Sequence, residues 1–369
     1  MEAALEEYVH MCRMLGPWTD WVQGPGGNCS VKVGMPLKDT NCRGPRGGTP
    51  LKDTNCRGTA VAERGLRSEC TPLMIVKQSG ATLADTTHTS GWVTVDVEAA
   101  LSAMEAGEEN LASLEGGNKK PSMEAFLHTL PARIVVHLHP APLLPLLCDP
   151  NCTEIPVAGY TTAVIPYMKP GIPLAKALFK KPGCSIYFLK QHGVVLLGET
   201  IEDILQQMIA ISDKYFPHDS STRIPTTPIP VLRALYEALF AETGKRMCVK
   251  AWAYRDDIGA RFIPYTPDIA VFLQEAPLVL KEDPQLLRDD LEAYRTTHGH
   301  PPTVACIGSY PYILTLGNSQ DQCLHIYDIL LAYLALTQET LTPLSDAEVH
   351  ALVNWDKEKA RKQSATHPV

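Results

Sequence analysis

The stretch Arg133-Ile-Val-Val-His-Leu-His-Pro140 decides how this chain reads. The β-branched run Ile134, Val135, Val136 favours a buried strand, and that strand ends on His137 and His139. Residues at i and i+2 of a strand point to the same face, so both imidazoles can reach one ion. Zinc takes histidine nitrogens at about 2.0–2.1 Å, and a catalytic site typically joins three protein ligands to one open position. Two structural histidines produce the same pattern, so a third ligand is required. Lys190-Gln191-His192-Gly193 sits between two further strand-like runs, Ser185–Leu189 and Val194–Leu197. His192 reads there either as the third ligand or as an ordinary turn histidine, beside a glycine that permits close backbone approach.

Working upstream, Pro121-Ser122-Met123-Glu124 opens a segment predicted to be helical over 122–130. A helix N-terminus offers free N–H groups and the positive end of a dipole, which suits an anion such as phosphate. Ser122 reads equally as a plain N-cap, and Glu124 as a first-turn dipole partner. Two small-residue corners, Gly24–Ser30 and Lys77–Gly80, each adjoin a strand, where backbone amides can cradle a phosphate. Taken singly, each corner also reads as a turn.

The remaining pattern sets the organisation. Apolar Leu5, Val9, Cys12 and Leu15 follow helical spacing over 2–15, and strands are expected at Cys29–Val33, Leu73–Lys77 and Trp92–Val95. The sequence PLKDTNCRG occurs at 36–44 and again at 50–58. With almost nothing apolar, the 36–63 segment is expected to be an exposed, disordered loop carrying a duplication. Helices are expected over 96–110 and over 200–215, the latter opened by a capping pattern of Thr200 with Asp203. A Pro-rich linker follows at 217–230, then a C-terminal α/β unit over 231–369 of unassigned role. That unit contains helices at 231–243, 284–297 and 320–336, strands at Ile269–Leu273, Thr303–Ile307 and Tyr312–Leu316, and a last helix capped by Ser345 with Glu348.

The chain has 369 residues, 45% of them hydrophobic, enough for two domains at about 150 residues each. With 33 basic and 41 acidic residues the net charge is −8, which argues against nucleic acid and membrane surfaces as partners. No apolar run reaches the roughly 18 residues of a membrane span. The acidic N-terminus lacks signal-peptide features, and eleven scattered cysteines without CxxC pairs read as reduced thiols, so a cytoplasmic location is expected. Neither GxGxxG nor GxxxxGK[ST] occurs, which argues against a nucleotide-driven enzyme.

In order, the GxGGNxS corner, the SGxxL corner, the PSxE segment, HLHP and HG form a series that resembles the class II aldolase/adducin family over about residues 3–216. The segment beyond the linker, with Thr266-Pro267-Asp268, resembles the part following the aldolase portion of rhamnulose-phosphate aldolase/dehydrogenase proteins. The resemblance implies a three-layer α/β/α domain around a mainly antiparallel sheet over 1–216, often assembled as a homotetramer. It implies a divalent ion, usually zinc, on His137, His139 and His192. It implies substrate phosphate held at Asn28, Ser79, Gly80 and Ser122, and the acid/base carboxylate at Glu124. The chain departs from the family pattern at Met123, which removes a hydroxyl donor from the phosphate pocket, and at Gln78.

The implied activity is a metal-dependent aldolase that cleaves or forms a C–C bond of a ketose or ketose phosphate through an enediolate. A pentulose-phosphate dehydratase or epimerase would use the same site. An adducin-like binding or scaffold protein is the alternative from another class, and that type lacks the metal histidines.

Overall fold

The computed structural model describes residues 1–18, 20–23, 26–34, 72–114, 119–216, 248–253, 262–280, 286–307, 312–317, 320–334, 336 and 341–356. The duplicated segment at 36–63, the Pro-rich 217–230 and the helix expected over 231–243 lie outside the described residues.

Helix α1 (Glu2–Leu15) buries Tyr8, Val9, Met11, Cys12 and Leu15, the face its periodicity predicts. Strands β1 (Asn28–Val33), β2 (Leu73–Lys77) and β3 (Trp92–Asp96) lead into α2 (Val97–Ala106). Asp96 caps that helix by accepting from the Ala99 amide. Then follow β4 (Ile134–Leu138), the short α3 (Leu144–Cys148), β5 (Thr162–Ile165), α4 (Ile172–Phe179), β6 (Ile186–Leu189), β7 (Gly193–Gly198) and α5 (Ile201–Tyr215). Thr200 and Asp203 form the expected reciprocal cap on α5.

The seven strands make one sheet, in the order β3-β2-β1-β4-β7-β6-β5. Every neighbouring pair is antiparallel except β5 with β6. Helices flank this sheet, and β4 lies at its centre. Ile134, Val136 and Leu138 pack in one layer with Val9 of α1 and with Ile204 and Met208 of α5. Val135 packs in another with Phe126, Leu127 and Leu178. By strand alternation His137 shares the face of Val135. The register sets Asn28 of β1 opposite His137 on one side and Val195 of β7 opposite it on the other.

The C-terminal region contributes β8 (Cys248–Ala253), β9 (Leu278–Leu280), α6 (Leu287–His298), β10 (Val304–Ile307), β11 (Tyr312–Gly317), α7 (Gln320–Leu334) and α8 (Asp346–Val353). Its four strands form a second sheet, β8-β11-β10-β9, parallel only between β9 and β10. Ser345 and Glu348 cap α8 reciprocally. An apolar cluster joins this region to the large sheet's connections. In it Leu144 and Cys148 of α3 pack with Phe262, Ile269, Phe272, Ile326 and Leu330.

Two expected elements take another form. Residues 122–130 make only a five-residue 3-10 turn, Ala125–Thr129, in place of a longer helix. Leu130 precedes Pro131, which disfavours helical backbone there, and Leu130 is extended at ψ 147°. Ile269–Leu273, expected as a strand, is a turn of π-helix with all five side chains buried. A short apolar run carries no period that separates a buried strand from a buried helix. The flanking Thr266-Pro267 decides it. Thr266 accepts from the Ile269 amide through its hydroxyl and from the Ala270 amide through its carbonyl, and proline suits a first helical position.

Candidate metal centre

Four side chains from three parts of the large-sheet region meet beneath the end of β4. One ligand atom from each of Glu124, His137, His139 and His192 lies within 4.8 Å of the others, and all four residues are buried. His137 comes from β4 itself and His139 from just past its end, while His192 sits in the tight link between β6 and β7. That link needs special backbone. Gln191 has φ 56°, a left-handed conformation unusual for a side-chain-bearing residue. A Cβ on Gly193 would stand 2.2 Å from the Leu138 carbonyl oxygen, so only glycine lets β7 approach β4 this closely.

The second ring nitrogens orient the first. Nδ1 of His137 is 2.9 Å from the Val194 carbonyl oxygen, and Nδ1 of His139 is 2.5 Å from Oδ2 of Asp268. Both acceptors require Nδ1 to carry a proton, which leaves a lone pair on each Nε2. Those two Nε2 atoms lie 3.0 Å apart. Lone pairs that close repel unless they share a proton or a cation. Two histidine nitrogens on one tetrahedral zinc stand about 3.3 Å apart, so the donor spacing fits a divalent ion. His192 Nε2 and His137 Nε2 lie 3.2 Å and 3.3 Å from the same carboxylate oxygen, Glu124 Oε1.

Burial alone would raise the Glu124 carboxyl, but the imidazoles of His137 and His192 overcome it and hold it well below the usual carboxylate range. Burial pushes His192 down to about 4, with Glu124 opposing it in part. For His137 burial acts downward, yet Glu124 prevails and its pKa is raised. The other carboxylate oxygen, Oε2, accepts from Nδ2 of Asn28 at 3.2 Å, and the same amide donates to Ser122 Oγ at 3.0 Å.

These residues lie within a longer match to a known family. A family model described as the class II aldolase and adducin N-terminal domain matches residues 6–213. The chain belongs to the class II aldolase and adducin family.

Among curated proteins, the uncharacterized oxidoreductase YuxG of Bacillus subtilis (strain 168) is similar, with 27% identity over 164 residues. The aligned part is 40% of this chain and 24% of that protein, so the chain spans about a quarter of the relative's length. Similar solved structures include the N-terminal class II aldolase domain of a conserved protein from Thermoplasma acidophilum. It has 25% identity and a TM-score of 0.42, and the match covers 58% of this chain and 92% of that one. L-fuculose-1-phosphate aldolase from Thermus thermophilus is similar at 15% identity and a TM-score of 0.35, over 57% of this chain and 91% of that one. A sugar-phosphate aldolase from Thermotoga maritima is similar at 16% identity and a TM-score of 0.36, over 59% and 98%.

Of the residues singled out in this class II aldolase family member's sequence, the structure gathers Asn28, Ser122 and Glu124 with the three histidines. The 77–80 corner is brought alongside: the Ser79 amide donates to the Lys120 carbonyl, and the Ser122 amide to the Lys77 carbonyl. Gly80 turns the chain there at φ 79°. Ser79, Lys120, Ser122 and Met123 line a cavity of about 340 Å³, together with the carboxylate-bearing Glu109 and Asp356. His128 is not one of the four grouped residues; its Nδ1 lies 2.9 Å from Ser30 Oγ, and burial lowers its pKa to about 3.

Three residues around the site were not assigned a role by sequence reasoning. Ser30 and Lys32 continue the buried polar face of β1 that begins at Asn28, and the signal was their i, i+2, i+4 spacing. Asp268 stands in the sequence only within Thr266-Pro267-Asp268, a triplet that carries a resemblance and gives no indication of what its carboxylate faces.

Proposed function

We propose that this chain is a divalent-metal-dependent lyase that cleaves or forms a C–C bond of a ketose or ketose phosphate. The observation that carries the reading is the convergence of three imidazole nitrogens and one buried carboxylate on a single point. His137, His139 and His192 would hold the ion, and imidazole with carboxylate donors favours zinc. When bound, such an ion supplies Lewis-acid stabilisation of the negative charge that develops as the bond next to the carbonyl breaks.

Glu124 is the proton-moving group in this reading. Its buried carboxylate stands beside the histidines, placed to accept the proton of the substrate hydroxyl whose carbon leaves as an aldehyde. The bonding electrons pass to the ketose fragment, and Glu124 then returns the proton to that fragment's carbon. Asn28 holds the carboxylate in place through Oε2. Ser79, Gly80 and Ser122 are assigned to the far end of the substrate. Among the described residues lining that cavity, Lys120 is the cation, beside two carboxylates and Met123 in place of a hydroxyl residue, a set that gives a phosphate modest affinity. Assembly as a homo-oligomer and a cytoplasmic location complete the proposal.

The experiment is metal analysis after gentle purification, followed by product analysis on a panel of ketoses with and without a terminal phosphate. Two carbon fragments are expected. A single retained skeleton would move the reading to a dehydratase or epimerase. No divalent ion and no product would move it to a binding or scaffold protein.

A further inference from the structure

We propose that Asp268, which lies beyond the family-matching residues 6–213, is the outer carboxylate of the candidate metal centre, and that the C-terminal part of the chain is thereby built into that centre. The inference rests on the metal reading above and concerns how one ligand, His139, is held. The three histidines are not held alike. His137 has a neutral backbone carbonyl on Nδ1, and the Nδ1 of His192 has no hydrogen-bond partner among the described residues. Among the described residues, only the Nδ1 of His139 faces a carboxylate, Asp268 Oδ2 at 2.5 Å, with the His139 side chain 5% exposed and that of Asp268 13% exposed.

The carboxylate is placed by packing. Asp268 stands at the start of the helical turn that continues through Ile269–Leu273, whose side chains are all buried. Thr266 ties down the first amides of that turn. Residues of the turn share an apolar cluster with α3, which follows His139 closely in sequence. Space is kept for the contact on the other side. A Cβ at Gly26 would lie 3.1 Å from His139 Nδ1, 3.6 Å from Asp268 Oδ2 and 2.8 Å from the Gln23 carbonyl oxygen. Glycine at 26 therefore leaves the imidazole and the carboxylate in direct contact.

The physical consequence is specific. A carboxylate on Nδ1 fixes the tautomer and ring orientation and makes Nε2 a stronger donor, and losing such a partner typically costs 10–100-fold in metal affinity. Asp268 is thus a positioning residue: it acts on the ion only through His139. An ion pair that merely fastened two parts of the chain would influence folding equally with and without metal.

The test compares the full unsubstituted chain with Asp268→Asn, which keeps the shape and drops the charge. Zinc affinity, read by competition with a chromogenic chelator, is expected to fall 10–100-fold. The melting temperature without metal is expected to fall less than that of the zinc-loaded protein, so the rise on adding zinc shrinks, because the carboxylate also strengthens the ion's hold through His139. An affinity within about threefold of the unsubstituted protein overturns the proposal. So does a metal-free melting temperature that drops as far as the zinc-loaded one. If the unsubstituted chain binds no divalent ion, the metal reading itself fails and takes this one with it.

A second measurement needs no variant, should Asp268→Asn fail to fold. In the zinc-loaded, 15N-histidine-labelled protein, His139 is expected as the Nδ1-protonated tautomer, with that proton shifted downfield by its carboxylate partner. An Nε2-protonated His139 overturns the proposal.

Discussion

Asn28 and His137 face each other across β1 and β4, and from that position the Asn28 amide donates both to Ser122 Oγ and to Glu124 Oε2. One side chain thus ties the carboxylate to β1, the strand paired with the one that carries His137. Its removal tests that tie. In Asn28→Ala, turnover should fall by roughly 10–100-fold, the equivalent of a hydrogen bond to a charged group at about 1.5–3 kcal/mol. Metal content should hold, since the three imidazoles are untouched. Turnover within twofold or so of the parent, at equal metal loading, would show that Glu124 needs no such clamp.

Glu124→Gln separates a proton carrier from a local charge. A first-turn charge on a surface contributes only about 0.3–1 kcal/mol, whereas a general acid or base is worth on the order of 10²–10⁴ in turnover. We expect the larger loss, measured at fixed metal occupancy on a cleavable ketose, with the fold retained. A variant within about tenfold of the parent would remove Glu124 from the mechanism.

His139→Ala should lose metal and activity together, because two histidines and a carboxylate hold the ion poorly and binding is coupled to ligand number. Elemental analysis alongside turnover reads both. Full metal retention would contradict the ligand assignment.

Lys32 makes a pH prediction. It is buried on β1, donates to the carbonyl oxygens of Leu130 and Ala132, and burial pushes its pKa down to about 7. In the unfolded chain a lysine titrates near 10.4, so between about pH 7 and 10 the unfolded state binds more protons. Stability from this group therefore rises with pH across that window, by on the order of 4 kcal/mol, and is flat below it. Lys32→Met should flatten the slope while lowering stability overall, since two buried carbonyls lose their donor. Denaturant melts at pH 7 and pH 9 provide the check, and an unchanged slope would place the charge elsewhere.

The sequence by itself determined the strand ending at Leu138, the shared direction of His137 and His139, the glycine after His192, and the caps of α5 and α8. Each rests on residues within a few positions of one another, where strand alternation, helical period or a capping pair acts locally. Only the tertiary structure decided that residues 122–130 curl into a 3-10 turn against the sheet, and that Ile269–Leu273 is helical. It also decided that Asp268 meets His139. Those outcomes depend on partners more than a hundred positions apart in the last case, and on burial of every side chain in the other two. When all positions of a short segment are buried, no polar face remains to reveal its period, and the surrounding core chooses the conformation.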